Sequence, residues 1–247
     1  MLKYIARRLA LMIVVVLGVT IMTFSLMHLA PGDPAEMIAL ARYGVYNLTQ
    51  EDIETIRIAE GLDAPIHIQY ARWLKHVLKG DFGCSLITGE LVKEEILIRF
   101  PATLKLALAA LLVSLLIAVP AGIISAVKQY SPIDYLTMTG ALLGVSMPNF
   151  WLGLLLILLF SVTLGWLPVC GYGGLRHIAL PAITLGTGMA AITTRLTRSS
   201  MLEVLKQDYI IAARAKGLRE KSIVSDHALK NAFIPVITVV GLQLGHL

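Results

Sequence analysis

The sequence predicts an all-α polytopic membrane protein of about five spans, and three observations carry that prediction. Hydrophobic residues make up 57% of the 247 and charged residues only 15%, against about 25% charged in soluble domains; the mean hydropathy is +0.77. Four stretches, 9–32, 106–127, 135–175 and 177–194, contain no Asp, Glu, Lys or Arg, and a bilayer span needs about 20 apolar residues. The formal net charge is +5, and its positive residues sit mostly beside the apolar runs, where they orient spans. They do not form the isolated patch that nucleic acid would need. The partners expected on these grounds are membrane lipid and protein, not nucleic acid.

Span one covers roughly 9–30. Lys3, Arg7 and Arg8 precede it, which predicts a cytoplasmic N-terminus. Its apolar part is too long for a signal peptide, so it reads as a retained span. Pro31 and Pro34 of PGDP end it. Residues 31–100 hold seven Lys/Arg and eleven Asp/Glu, an acidic excess suited to the outside, with two helical pieces. In LTQEDIETIRIAEGLD, Thr49 can cap and Gly61 can stop a helix with a partial apolar face of Ile53, Ile56 and Ile58. In IQYARWLKHVLKGDFG, Tyr70, Trp73, Leu74, Val77 and Leu78 fall at helical spacing before Gly80.

Span two covers roughly 104–127, with Pro120 tolerated inside it. After the short loop KQYSPID, a third span runs from Tyr135 to about Leu164. The turn-rich GWLPVCGYGG then lies at the far interface, where Trp166 and Tyr172 are natural anchors. Span four covers roughly 178–199 and exits at Arg195 and Arg198. Residues 195–230 carry eight Lys/Arg against four Asp/Glu, the signature of a cytoplasmic loop. A fifth apolar run starts near Ala232, and the sixteen residues from there to Leu247 are short for a span. The sequence is therefore expected to be C-terminally truncated. By domain, 1–100 is expected to form the N-terminal span plus an external helical region. The span core would be 101–247, with a cytoplasmic loop at 200–230.

That loop contains QDYIIAARAKGLREKSIVSDHALKNAFIP, residues 207–235. Asp208 can start a short helix as cap or first-turn anion. Ile211, Ala215 and Leu218 share one face, and Ala212 and Ala213 keep the backbone slim. Gly217 can end the helix in a left-handed conformation, and Ser222 can cap a second helix. The charges alone fit a generic loop with positives facing lipid. The slim alanines, glycine joint and polar rim fit a docking element for a soluble partner. A catalytic loop is poorly supported, because no nucleophile and base are brought together and His227 stands alone. Cys84 and Cys170 lack metal-ligand spacing, and His28 and His177 read as interfacial residues near span ends. No catalytic residue, metal site or cofactor is expected.

The stretch resembles the cytoplasmic signature loop of permease subunits of ATP-binding-cassette (ABC) importers. In that signature Glu-Ala-Ala is followed after three residues by Gly. Ile211, Ala212, Ala213 and Gly217 match, with Ile211 in the glutamate's place. The general signature then expects Ile-x-Leu-Pro where this chain has His227, Ala228, Leu229 and Lys230, and Pro235 comes five residues late. These departures resemble the oligopeptide, dipeptide and nickel branch, whose ARAKGL…HALRNA…P is matched here by ARAKGL at 213–218, HALKNA at 227–232 and Pro235. Further pieces match in order along residues 3–245: Arg7–Arg8, PGDP at 31–34, GLDAPIHIQYARWL at 61–74, GDFGCS at 80–85, PATLKL at 101–106, GVSMPNFWLGLLL at 144–156, GWLP at 165–168 and GYGG at 171–174.

The resemblance implies the type I transmembrane fold of ABC importers, with the rest of span five and a sixth span missing. It implies a homologous second permease subunit, two ATP-binding ATPase subunits and an extracytoplasmic substrate-binding protein. The substrate would be a di- or oligopeptide or, in a metal-chelate-specific member, a nickel complex. The implied coupling loop comprises Ile211, Ala212, Ala213, Arg214, Ala215, Lys216, Gly217, Leu218, His227, Asn231 and Pro235. ATP would bind the partner subunits, in keeping with the lack of a GxxxxGK[ST] loop here. A self-sufficient channel or secondary transporter would need ionisable residues along a path inside the membrane. The apolar runs offer none mid-span.

Overall fold

The computed structural model describes residues 1–29, 31–44 and 48–245; the last two residues of the fifth apolar run lie outside them. These residues form helices and one isolated β-bridge, between Cys84 and Leu91. The chain divides into two compact units, Met1–Arg99 and Phe100–Leu247.

In the first unit, α1 (Leu2–Leu29) is apolar and exposed along its length. It touches α4 (Ile66–Leu78) near its C-terminal half. There the Thr20 and Tyr70 hydroxyls lie 2.9 Å apart, His28 Nε2 meets Gln69 Oε1 at 3.0 Å, and Phe24 packs among Tyr70, Trp73 and His28. PGDP does more than end α1. Asp33 caps α2 (Pro34–Tyr43) by accepting from the Ala35 amide, with Pro34 at the first helical position. The sequence had suggested two helices in this region, and α2 makes a third. Thr49 caps α3 (Gln50–Ala59) in a reciprocal box with Asp52. Ala35, Ile38, Ala39, Ile53 and Ile56 form a small core between α2 and α3, while Ile58 faces outward. Gly61 and Gly80 have φ of +65° and +81° and stop α3 and α4 as expected.

In the second unit, α5 (Val92–Val127, begun in the first unit) and α8 (Leu175–Val204) pack through small residues. Ala107, Ala110, Ser114, Ala118 and Gly122 are buried at helical spacing. A Cβ on Gly186 would lie 2.7 Å from the Ala110 carbonyl, and one on Gly122 would lie 2.6 Å from Thr197 Cβ. Such close backbone approach suits membrane helices, where packing replaces the hydrophobic driving force.

The third span departs from expectation. It is not one rod to Leu164 but α6 (Pro132–Ser146) and α7 (Asn149–Thr163), bent by 102°. Pro148 is the cause: it offers no N–H and pushes Met147 to an extended conformation, ψ 122°. The second half of α7, Ile157–Thr163, is π-helical. The fifth span also differs. Its helix α10 (Glu220–Leu244) starts a dozen residues before Ala232 and has 25 residues. Among the described residues, four helices, α1, α5, α8 and α10, are long and apolar enough to cross a membrane, and the bent pair makes up to five. Pro101, Pro120, Pro181 and Pro235 all sit inside helices without ending them.

Candidate functional site

The predicted docking segment folds as a short helix, a glycine joint and the start of a long span. α9 (Asp208–Ala215) begins at Gln207, whose side chain makes no cap; Asp208 lies in the first turn as an anion. At the other end Gly217 has φ +77°. The Leu218 amide donates to the Ala213 carbonyl at 3.3 Å and the Gly217 amide to Arg214 at 2.9 Å. This is the Schellman arrangement, which needs a left-handed residue at that position. Ser222 does not cap the next helix. α10 starts at Glu220, and the Ser222 hydroxyl instead donates to Asp226 at 2.7 Å.

Two side-chain ties fix the joint. Arg214 donates through Nε and Nη2 to the two Glu220 oxygens at 2.7 and 3.3 Å, across Gly217. The Glu220 carboxylate holds the Arg214 guanidinium pKa above its ordinary value. Asn231 Nδ2 donates to the Tyr209 hydroxyl at 2.7 Å, joining α10 to α9. Beneath them lies an apolar core that joins Ile210 and Ala213 to Met201 of α8, to Ile223, Ala228 and Ala232 of α10 and to Ala126 of α5. It clamps α9 onto both α8 and α10.

The predicted residues therefore divide. Ala213 is buried in that core, so its slimness serves the hairpin's own packing. Ile211, Ala212, Ala215 and Leu218 are exposed, with Ile211 at 55% and Leu218 at 42%. Tyr209 is also exposed. Lys216 and Arg219 sit beside this apolar face, and neither makes an ion pair among the described residues. His227 lies exposed in a π-helical turn, Ile223–Ala228, and Pro235 lies further along α10. The surface is chemically an apolar knob with a cationic rim over a packed apolar core. Nothing in it positions a nucleophile beside a base.

The sequence marks Arg198 only as a cytoplasmic exit of span four, and the structure gives it a further role. Its Nε and Nη2 donate to the two oxygens of buried Asp134, each at 2.7 Å. Asp134 also accepts from the Ser125 hydroxyl and, at 2.9 Å, from the Tyr130 amide. The pair ties the α5–α6 turn to α8 six residues before its end. The available signal was a lone carboxylate at the start of one apolar helix and an arginine at the end of another.

Residues 118–247 match the family model described as "Binding-protein-dependent transport system inner membrane component". Residues 1–107 match a second one, "Binding-prot-dependent transport system membrane comp, N-term". Among curated relatives, the chain is 44% identical to the di/tripeptide transport system permease protein DppB of Pseudomonas aeruginosa, covering 100% of this chain and 81% of that one. It is 43% identical to the glutathione transport system permease protein GsiC of Salmonella paratyphi A, covering 100% and 79%. It is 41% identical to the oligopeptide transport system permease protein AppB of Bacillus subtilis, covering 99% and 79%. With the helical spans and the hairpin between α8 and α10, these matches make the chain a member of the binding-protein-dependent transport system inner membrane components, a multi-pass inner-membrane permease of the ABC importer class.

Proposed function

We propose that this permease pairs with a homologous second permease to form a translocation path for short peptides. Two ATPase subunits would drive it from the cytoplasmic side, and an extracytoplasmic binding protein would deliver the substrate. The peptide class is favoured because the relatives above are named for di/tripeptides, glutathione and oligopeptides. The N-terminus would be cytoplasmic, by the charges of Lys3, Arg7 and Arg8. Residues 1–100 would supply the first span and an external helical region, and 101–247 the permease core.

The observation that carries the ATPase-coupling role is the exposed face of α9. Ile211, Ala212 and Ala215 on α9, with Leu218 just past the Gly217 joint, present apolar surface to water, and the helix's other side is clamped to two spans. An ATPase cleft closing over this knob would move α9. Because Ile210 and Ala213 share one apolar core with Met201 of α8 and Ile223 of α10, the displacement would pass into both spans. Coupling needs such contiguous packing. Alternating access would follow, with hydrolysis resetting the inward-facing state.

The test is uptake of labelled di- and tripeptides by the full-length protein reconstituted with its operon-encoded partners. ATP- and binding-protein-dependent uptake is expected. Uptake that proceeds without ATP or without the partner subunits would refute the reading. For topology, a cysteine within 50–60 should react with an impermeant thiol reagent from outside and one at 219–221 should not; the reverse pattern would overturn the orientation.

A further inference from the structure

The break between α6 and α7 leaves irregular backbone within an apolar unit, with Ser146, Pro148 and Asn149 exposed on this chain. Within a membrane such backbone is tolerated where it is buried in protein or lines a water-accessible cavity. Here two cavities border its C-terminal side at Asn149. One, of about 430 Å³, is lined by Asn149, Phe150, Pro168, His177, Pro181 and Thr184 among others. The second, of about 330 Å³, is lined by Met147, Asn149, Gly188, Met189, Ile192 and Gln243 among others. Both lie in the range of ligand pockets, about 300–1,000 Å³. They share Asn149 and Leu185 in their linings, so they are neighbours on either side of these two residues.

Neither lining contains Asp, Glu, Lys or Arg. The polar groups in the second are carboxamides. Gln243 is 9% exposed and is held between α8 and α10: Oε1 accepts from Thr193 at 3.2 Å, and Nε2 donates to the Met189 carbonyl at 3.3 Å. Asn149 is exposed to the cavities and its side chain makes no hydrogen bond among the described residues. Its Oδ1 occupies the space of the missing Gly188 side chain, 3.0 Å from where a Cβ would stand. A carboxamide offers one acceptor and two donors, which matches the peptide group. The α8 stretch from Pro181 to Ile192 is about 16 Å long, the reach of an extended chain of about five residues.

We propose that these neighbouring cavities are this subunit's share of the peptide path, and that Asn149 and Gln243 read the backbone of a short extended peptide at the helix break. An uncharged lining with carboxamide donors and acceptors recognises what all peptides share and leaves side chains unread. This rests on the peptide-permease reading above, and the test separates the two.

The experiment uses the full-length protein with its partners in proteoliposomes, in a Cys84→Ser, Cys170→Ser background, with trialanine as substrate. Asn149→Cys and Gln243→Cys should react with a small water-soluble thiol reagent during turnover, and trialanine should slow both reactions. Leu158→Cys, on α7 outside either lining, should react slowly and without protection. Asn149→Ala should lower uptake roughly five- to tenfold, the loss of one neutral hydrogen bond, while binding-protein-stimulated ATP hydrolysis stays near wild type. Gly188→Ala, which displaces only the tip of Asn149, should reproduce part of that loss. A merely structural role for Asn149 would give neither protection nor uptake loss at constant hydrolysis. Unprotected thiols, or Asn149→Ala uptake equal to wild type, overturn the path assignment alone. Absence of trialanine uptake by the parent complex overturns the peptide-permease reading and the assignment with it.

Discussion

Substituting alanine for Gly122 and Gly186 should loosen α5 from α8 by an amount the geometry bounds. A Cβ at Gly122 would lie 2.6 Å from Thr197 Cβ, 2.8 Å from its Cγ2 and 3.0 Å from the Thr194 carbonyl. At Gly186 it would meet the Ala110 carbonyl at 2.7 Å and Val113 Cβ and Cγ1 at 2.8 Å. Carbon atoms pack at about 3.5–4.0 Å, so each methyl arrives roughly 1 Å too close. Most of the obstacles are Cβ atoms and backbone oxygens, which cannot swing aside; the helices must part. Overpacking costs about 1–3 kcal/mol, and rigid obstacles place each site in the upper half of that range. The α8 contacts, Gly186 and Thr197, are about 16 Å apart along the helix, so the effects should add to about 4–6 kcal/mol. Gly140 is the control: nothing lies within 4 Å of its Cβ position, and Gly140→Ala should be neutral or stabilise by about 0.5–1 kcal/mol. Reversible unfolding of the purified protein in mixed micelles reads all three. Double-variant destabilisation under about 1 kcal/mol, or an effect no larger than at Gly140, would refute the close-approach argument.

Arg198→Met should cost about 3 kcal/mol, the low end for one partner of a buried pair because Arg198 keeps 22% side-chain exposure; the double variant Asp134→Leu, Arg198→Met should recover most of it in a double-mutant cycle. Gly217→Ala should destabilise the hairpin by about 1–2 kcal/mol because its φ is +77°, and Gly217→Asn by less, read by proteolysis of the loop in membranes. Ala213→Leu should disrupt the hairpin core and Ala212→Leu should not, read the same way. The Thr49 hydroxyl and amide hold the Asp52 carboxyl below its ordinary pKa. A depressed folded value means the cap's contribution is whole above about pH 3.9 and is lost as pH falls through the lower value. Hydrogen exchange across the start of α3 should accelerate in that acid window in wild type and show no such step in Asp52→Asn.

The spans, the Thr49 cap and the stops at Gly61, Gly80 and Gly217 were legible because each depends on a local rule: an apolar run, an oxygen before a helix, a glycine after one. The bend at Pro148 was written in the sequence, yet prolines 101, 120, 181 and 235 sit in unbroken helices. Local chemistry does not say which proline bends its span, since neighbouring helices re-satisfy the freed backbone groups. The inward turn of Ala213 and outward turn of Ala212 were likewise hidden, because two adjacent alanines are alike until Ile223 and Met201 close on one of them. The Asp134–Arg198 pair joins residues 64 positions apart, beyond the reach of any spacing argument.

On the function proposed above, the exposed face of α9 is where an ATPase subunit would grip this permease. The most direct measurement is site-specific cross-linking in the assembled, transport-active complex, with a cysteine at Ala212 or at Ala213 and a short thiol-reactive linker. Ala212→Cys should cross-link to an ATPase subunit in a yield that changes between nucleotide-free and ATP-bound states, and Ala213→Cys, buried against Ile223, should not. An active complex in which Ala212→Cys reaches no ATPase subunit in either state would contradict the claim.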